Sequence, residues 1–108
     1  MVTIEGKHIL FGNKKVKLDF MIRKVVEFDN AIVVLIYDET VVPNNVIALD
    51  LDGKYLWKIN DILQIKRPTG NVDIEKESND KINVFSTLGI VFCIDINKAK
   101  LVKTTYLR

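Results

Sequence analysis

A stretch of this chain occurs twice. Val46-Ile47-Ala48-Leu49-Asp50-Leu51-Asp52 aligns with Val91-Phe92-Cys93-Ile94-Asp95-Ile96-Asn97 at an offset of 45 residues, and residues 27–34 resemble residues 77–84 at an offset of 50. The five-residue difference falls in residues 37–45, a loop around Pro43, where insertions are tolerated. Each copy reads strand, tight turn, strand, loop, strand, tight turn, strand. A four-stranded unit of this length has the size of a propeller blade, but two units cannot close a propeller. The repeat, approximately 22–59 and 72–106, therefore predicts two antiparallel four-stranded meanders sharing one core as a β-sandwich or flattened barrel. On the third strand of each copy, Ile47, Leu49 and Leu51 match Phe92, Ile94 and Ile96 on one face. Ala48 and Cys93 are the matching small positions on the other.

The rest of the sequence agrees with an all-β chain of nine or ten short strands. Side chains alternate with period two, and the segments break at Glu5-Gly6, Gly12-Asn13, Asp29-Asn30 and Asp52-Gly53. Asp-Gly is a strong hairpin signal because glycine supplies the positive φ such turns need. Residues 31–37, Ala-Ile-Val-Val-Leu-Ile-Tyr, are apolar on both faces and rich in β-branched side chains, which predicts a central strand. Residues 60–66 predict one helical turn capped by Asn60 and ended by Pro68. The short strands before residue 22 are expected to extend one edge.

Composition bounds the class. A chain of 108 residues with 48% apolar content forms one domain, 1–108, with a single modest core. One cysteine excludes an intramolecular disulfide framework, and one histidine leaves few metal or triad schemes. The longest apolar run is seven residues, far short of the roughly 20 that span a bilayer. The first ten residues contain Glu5, Lys7 and His8 rather than an apolar signal core. A cytoplasmic location, with no membrane partner, is the expectation.

The hairpin from Asn44 to Ile59, with Ala48-Leu49-Asp50, Gly53-Lys54 and Trp57, is similar to the blade motif of quinoprotein-type propellers, where such a pattern docks one blade on the next. The Asp-to-Gly spacing is one residue shorter here, and the quinone cofactor and dehydrogenase activity do not carry over. Over nearly its whole length the chain also resembles small bacterial immunity proteins of contact-dependent and polymorphic toxin systems. The resemblance rests on Ile9-Leu10-Phe11-Gly12-Asn13-Lys14, the Asn44-Asn45-Val46 to Leu56-Trp57 hairpin, and a close at Ile94-Asp95 and Leu101-Val102. Lys98-Ala99-Lys100 replaces the usual Gly-Lys of the second hairpin. The resemblance implies a non-enzymatic protein that binds a cognate toxin domain and neutralises it.

No residue pattern spells a chemistry. Asp50, Asp52 and Gly53 lack the ligand spacing of a calcium loop and read as a hairpin turn. Cys93 lies in an apolar strand with only His8 available as a base, so no nucleophile is assigned. No catalytic, cofactor or metal residues are assigned, and no cofactor is expected. Charge is uneven. Residues 25–80 carry eleven acidic and five basic side chains, whereas residues 1–24 and 81–108 are each net positive. Carboxylates can steer and register a basic partner such as a nuclease domain. The expected partner-binding residues are Asp38, Glu39, Asp61, Asp73, Glu75 and Glu77, the last three on one face of a strand. The alternative is a nucleic-acid or anion-binding β module, which requires Lys14, Lys15 and Lys17, with Arg23 and Lys24, to converge with Lys98, Lys100 and Lys103. A third reading is a structural module that oligomerises through an exposed strand edge.

Overall fold

A computed structural model describes residues 2–37, 44–64 and 70–107. Eleven strands and one short helix are present among them. Strands β1 (Val2–Glu5), β2 (His8–Phe11) and β3 (Lys14–Lys17) form a three-stranded antiparallel meander. Strands β4 (Ile22–Glu27), β5 (Ala31–Ile36), β6 (Val46–Asp50) and β7 (Tyr55–Lys58) form a second sheet in chain order. Helix α1 (Ile59–Leu63) follows it. Strands β8 (Asn71–Ser78), β9 (Lys81–Ser86), β10 (Ile90–Asp95) and β11 (Lys100–Tyr106) form the third sheet, again in chain order. The two four-stranded meanders of the repeat are both present. No helix among the described residues is long and apolar enough to cross a membrane.

The N-terminal strands do not extend an edge. They stack as a third layer over the open face of the β4–β7 sheet. The all-apolar β5 accounts for this. Ala31, Val33 and Leu35 enter one core cluster with Ile74, Ile82, Val84 and Ile94 from the third sheet and Ile96 from the turn after β10. Ile32, Val34 and Ile36, on the opposite face, enter a second cluster with Ile9 and Leu18. A sheet with apolar side chains on both faces needs a cover on each side, and the N-terminal meander supplies one of them.

The two meanders pack back to front. Their equivalence is visible in the backbone: β6 has a bulge at Ala48/Leu49 and β10 has one at Cys93/Ile94, at matching positions. Asp50 Oδ1 accepts from the N–H groups of Asp52 and Lys54, and Asp95 Oδ1 accepts from those of Asn97 and Lys98. Both are Asx-type turns that share the bond to the second residue on and differ in the next, which is four residues on in the first and three in the second. Yet Ile47 and Leu49 face the N-terminal layer, while their matches Phe92 and Ile94 face the β4–β7 sheet. Leu51, expected alongside them, is exposed. The shared core takes Val46 and Ala48 instead. Both meanders thus point equivalent faces in the same direction, and Trp57 ties them together. Its ring is buried, and Nε1 donates to the Ile96 carbonyl of the other sheet at 3.3 Å.

The helix begins earlier than Asn60. Its N-cap is Lys58, whose N–H donates to Asp61 Oδ2 at 3.2 Å, while the Asn60 N–H is taken by Asn44 Oδ1 at 2.9 Å. It ends at Gln64 in the left-handed region, φ 53°, and Pro68 lies outside the described residues.

Candidate protein-binding surface

Sequence reasoning singled out six carboxylates, and the structure separates them. Asp38 and Glu39 lie outside the described residues. Asp61 sits in the first turn of α1, where its carboxylate holds the Lys58 N–H. Helix α1 follows β7 and packs near β11, whereas Asp73, Glu75 and Glu77 stand on β8, the opposite edge of that third sheet. Asp61 therefore does not join the other three.

Alternation along β8 puts Ile74 into the core and its acidic neighbours outward. Bulges at Asn71/Asp73 and Lys76/Ser78 adjust the phase at both ends. Asp73 is not a free carboxylate. It accepts from Lys24 Nζ of β4 at 2.9 Å and from the Ile74 N–H at 2.9 Å. The Lys24 hydrogen bond holds its carboxyl below the ordinary aspartate range, with the Ile74 N–H helping and partial burial opposing. Glu77 accepts from Asn83 Nδ2 at 2.6 Å and remains exposed. Glu75, opposite Asn83 in the ladder, is also exposed.

Asn83 and Phe85 of this outer face were not singled out by the sequence. They project from β9, between the buried Ile82 and Val84. Lys103, on β11, pairs with Cys93 of β10. Cys93 is buried on this outer side rather than in the shared core. Burial pushes its thiol up, the nearby Glu77 adds to that, and Lys103 and Lys81 pull the other way. A raised thiol on a covered β-strand is inert. The alternation of buried and exposed residues along β9 was readable; the Lys24–Asp73 pair was not, because it joins positions 49 residues apart.

Two further carboxylates are engaged within the fold. The Asp50 carboxylate is used by its own turn, and Asp52 pairs with Lys14 of β3. Among the described residues no group of three His, Cys, Asp or Glu side chains is placed to hold a metal ion. A groove of about 290 Å3 beside Asn30, Asp50, Leu56, Trp57 and Ala99 falls at the lower limit of the roughly 300–1,000 Å3 that small-molecule sites occupy. The basic segments also stay apart. Lys14, Lys15 and Lys17 lie in the N-terminal layer, and Lys100 and Lys103 lie in the third sheet, with the β4–β7 sheet between them.

No curated protein matches the chain. A family model matches residues 1–106, and its description is a domain of unknown function, DUF7957.

Proposed function

The chain belongs to this family, and we propose that it is a non-enzymatic, cytosolic immunity protein that binds a cognate toxin domain and covers its active site. The observation that carries the reading is the pair of exposed carboxylates Glu75 and Glu77 on the outward face of β8. They stand on a strand held by β9 hydrogen bonds on one side and by the Lys24–Asp73 pair near its start. Carboxylates on a rigid strand keep their spacing in the free protein, so little side-chain ordering remains to be done at the encounter. A basic nucleic-acid cleft is the partner surface such carboxylates complement, with effects on association rate and register.

The test is a search for a toxin domain encoded directly upstream and a calorimetric titration against it; the lack of any such gene overturns the immunity role. One-to-one binding of nanomolar strength is expected, and Glu75→Lys with Glu77→Lys should weaken it about a hundredfold, mainly through slower association. No heat at micromolar concentrations overturns the immunity role. Unchanged affinity in the double variant moves the contact away from β8 and leaves the role standing.

A further inference from the structure

The third sheet ends in an edge strand, with helix α1 packed near it. All seven residues of β11 are exposed, and the side facing away from β10 has no strand partner among the described residues. Its apolar side chains lie open: Leu101 is 41% exposed, Val102 48%, Tyr106 69%, and the adjoining Leu107 55%. The opposite edge of the sheet is treated differently. Strand β8 bulges twice, carries three carboxylates, and is tied to β4 by the Lys24–Asp73 pair. Charge and bulges are the usual protection of a strand edge. Strand β11 has no proline, one bulge and two lysines.

The phase of its free hydrogen-bonding groups is fixed by one contact. The Leu107 N–H donates to the Gly89 carbonyl at 2.8 Å. In an antiparallel ladder such pairs alternate with non-bonded ones. The pairs Ile90–Tyr106 and Phe92–Thr104 are therefore of the non-bonded kind, and Thr104 and Tyr106 turn their N–H and C=O groups away from β10.

We infer that β11 pairs with β11 of a second copy of this chain, antiparallel, across a two-fold axis at Thr104. That register sets Thr104 opposite Thr104 and Lys103 opposite Thr105, and it brings Val102, the extra residue of the β11 bulge, to Tyr106 and Leu101 to Leu107. Each exposed apolar side chain of the edge meets another, in aromatic–β-branched and aliphatic pairs of the kind that stabilise sheets. Shifting the axis to Lys103 would put two lysines directly opposite, which is destabilising. The outward groups of Thr104 face each other across the axis, as an isologous interface requires. The product is a continuous antiparallel sheet of twice four strands. Because β8 is the other edge, Glu75 and Glu77 stay uncovered, and the inference does not rest on the toxin reading.

Light scattering and sedimentation at concentrations from micromolar to several hundred micromolar test it. A dimer is expected. Thr104→Pro removes an N–H that β10 does not use, so the monomer should keep its thermal midpoint while dimer dissociation rises about a hundredfold. Thr104→Cys should form an intermolecular disulfide on oxidation, since hydrogen-bonded antiparallel partners sit about 5.5 Å apart at Cα, inside the bridging range. Lys103→Cys, displaced by two residues from its own copy, should not. A monomer throughout the concentration range, a dimer indifferent to Thr104→Pro, or equal cross-linking at both positions would overturn the inference.

Discussion

Gly53 shows how much one residue can be asked to do. It holds φ +88° in the β6–β7 turn, where a β-carbon would come within 2.6 Å of Val16 Cγ2. Val16 belongs to β3, so the turn of one sheet is seated against another, with the Lys14–Asp52 pair beside it. Two penalties therefore add on Gly53→Ala: the left-handed backbone costs about 1–2 kcal/mol for a residue with a β-carbon, and forced contact about 1–3 kcal/mol. A loss of roughly 2–5 kcal/mol in chemical denaturation is the expected outcome. A change below about 0.5 kcal/mol, the ordinary range for a surface substitution, would show that the hairpin is not pinned there. The second meander solves the same turn another way. Ala99 adopts φ 52° without being glycine, and its methyl packs on the shared core. The departure from Gly-Lys was visible in the sequence. That its backbone is left-handed anyway was not, because propensity alone argues against it.

At the scale of elements, the strands were legible and their partners across layers were not. Period-two alternation, the Asp29-Asn30 turn and the Asp52-Gly53 turn locate β4 to β7 closely, because each signal is local. The three carboxylates of β8 were also legible, but their electrostatics were decided by β4. Lys24 takes Asp73 out of the acidic surface and ties the edges of two sheets. The lowered carboxyl gives a pH prediction. A depressed folded-state pKa adds stability that is present above the ordinary aspartate value and is lost as pH falls through the folded value. The pair is well exposed, so the gain is small. Carboxyl titration by NMR should find Asp73 below the ordinary aspartate value, and Lys24→Met should return it upward. A titration unaffected by Lys24→Met would show that the Ile74 N–H, not Lys24, sets the carboxylate's affinity for its proton. Asn60 illustrates the opposite failure: a good capping residue lost its role because the helix starts at Ile59 with Lys58 as its N-cap, which puts Asn60 inside the first turn.

At the scale of the molecule, the repeat foretold two meanders but not the order in which they stack. The pattern of Ile47, Leu49 and Leu51 against Phe92, Ile94 and Ile96 marks equivalent faces. It does not say that one of those faces meets the N-terminal layer. Only the complete apolarity of β5 hinted that both sides of its sheet are covered, and it could not name the cover. The middle sheet is consequently the one element that no local opening can expose cheaply. Hydrogen exchange should find the amides of β5 and β6 slowest, close to the limit set by global unfolding. Those of β1 to β3, attached through a single face, should exchange through a smaller opening. Equal protection in all three layers would mean the stack opens only as a whole.

The back-to-front arrangement has a consequence for growth. Each meander receives a neighbour on one face, and the middle one offers an apolar surface on the other as well, as a brick does in a course. The outermost course ends in Lys81, Asn83 and Glu75, where the middle one has Ala31, Val33 and Val26 near the matching places. A duplicated copy of the middle unit spliced in behind it would find a ready bed on both sides. The length of the wall is set by its polar coping, and not by any closure of the fold.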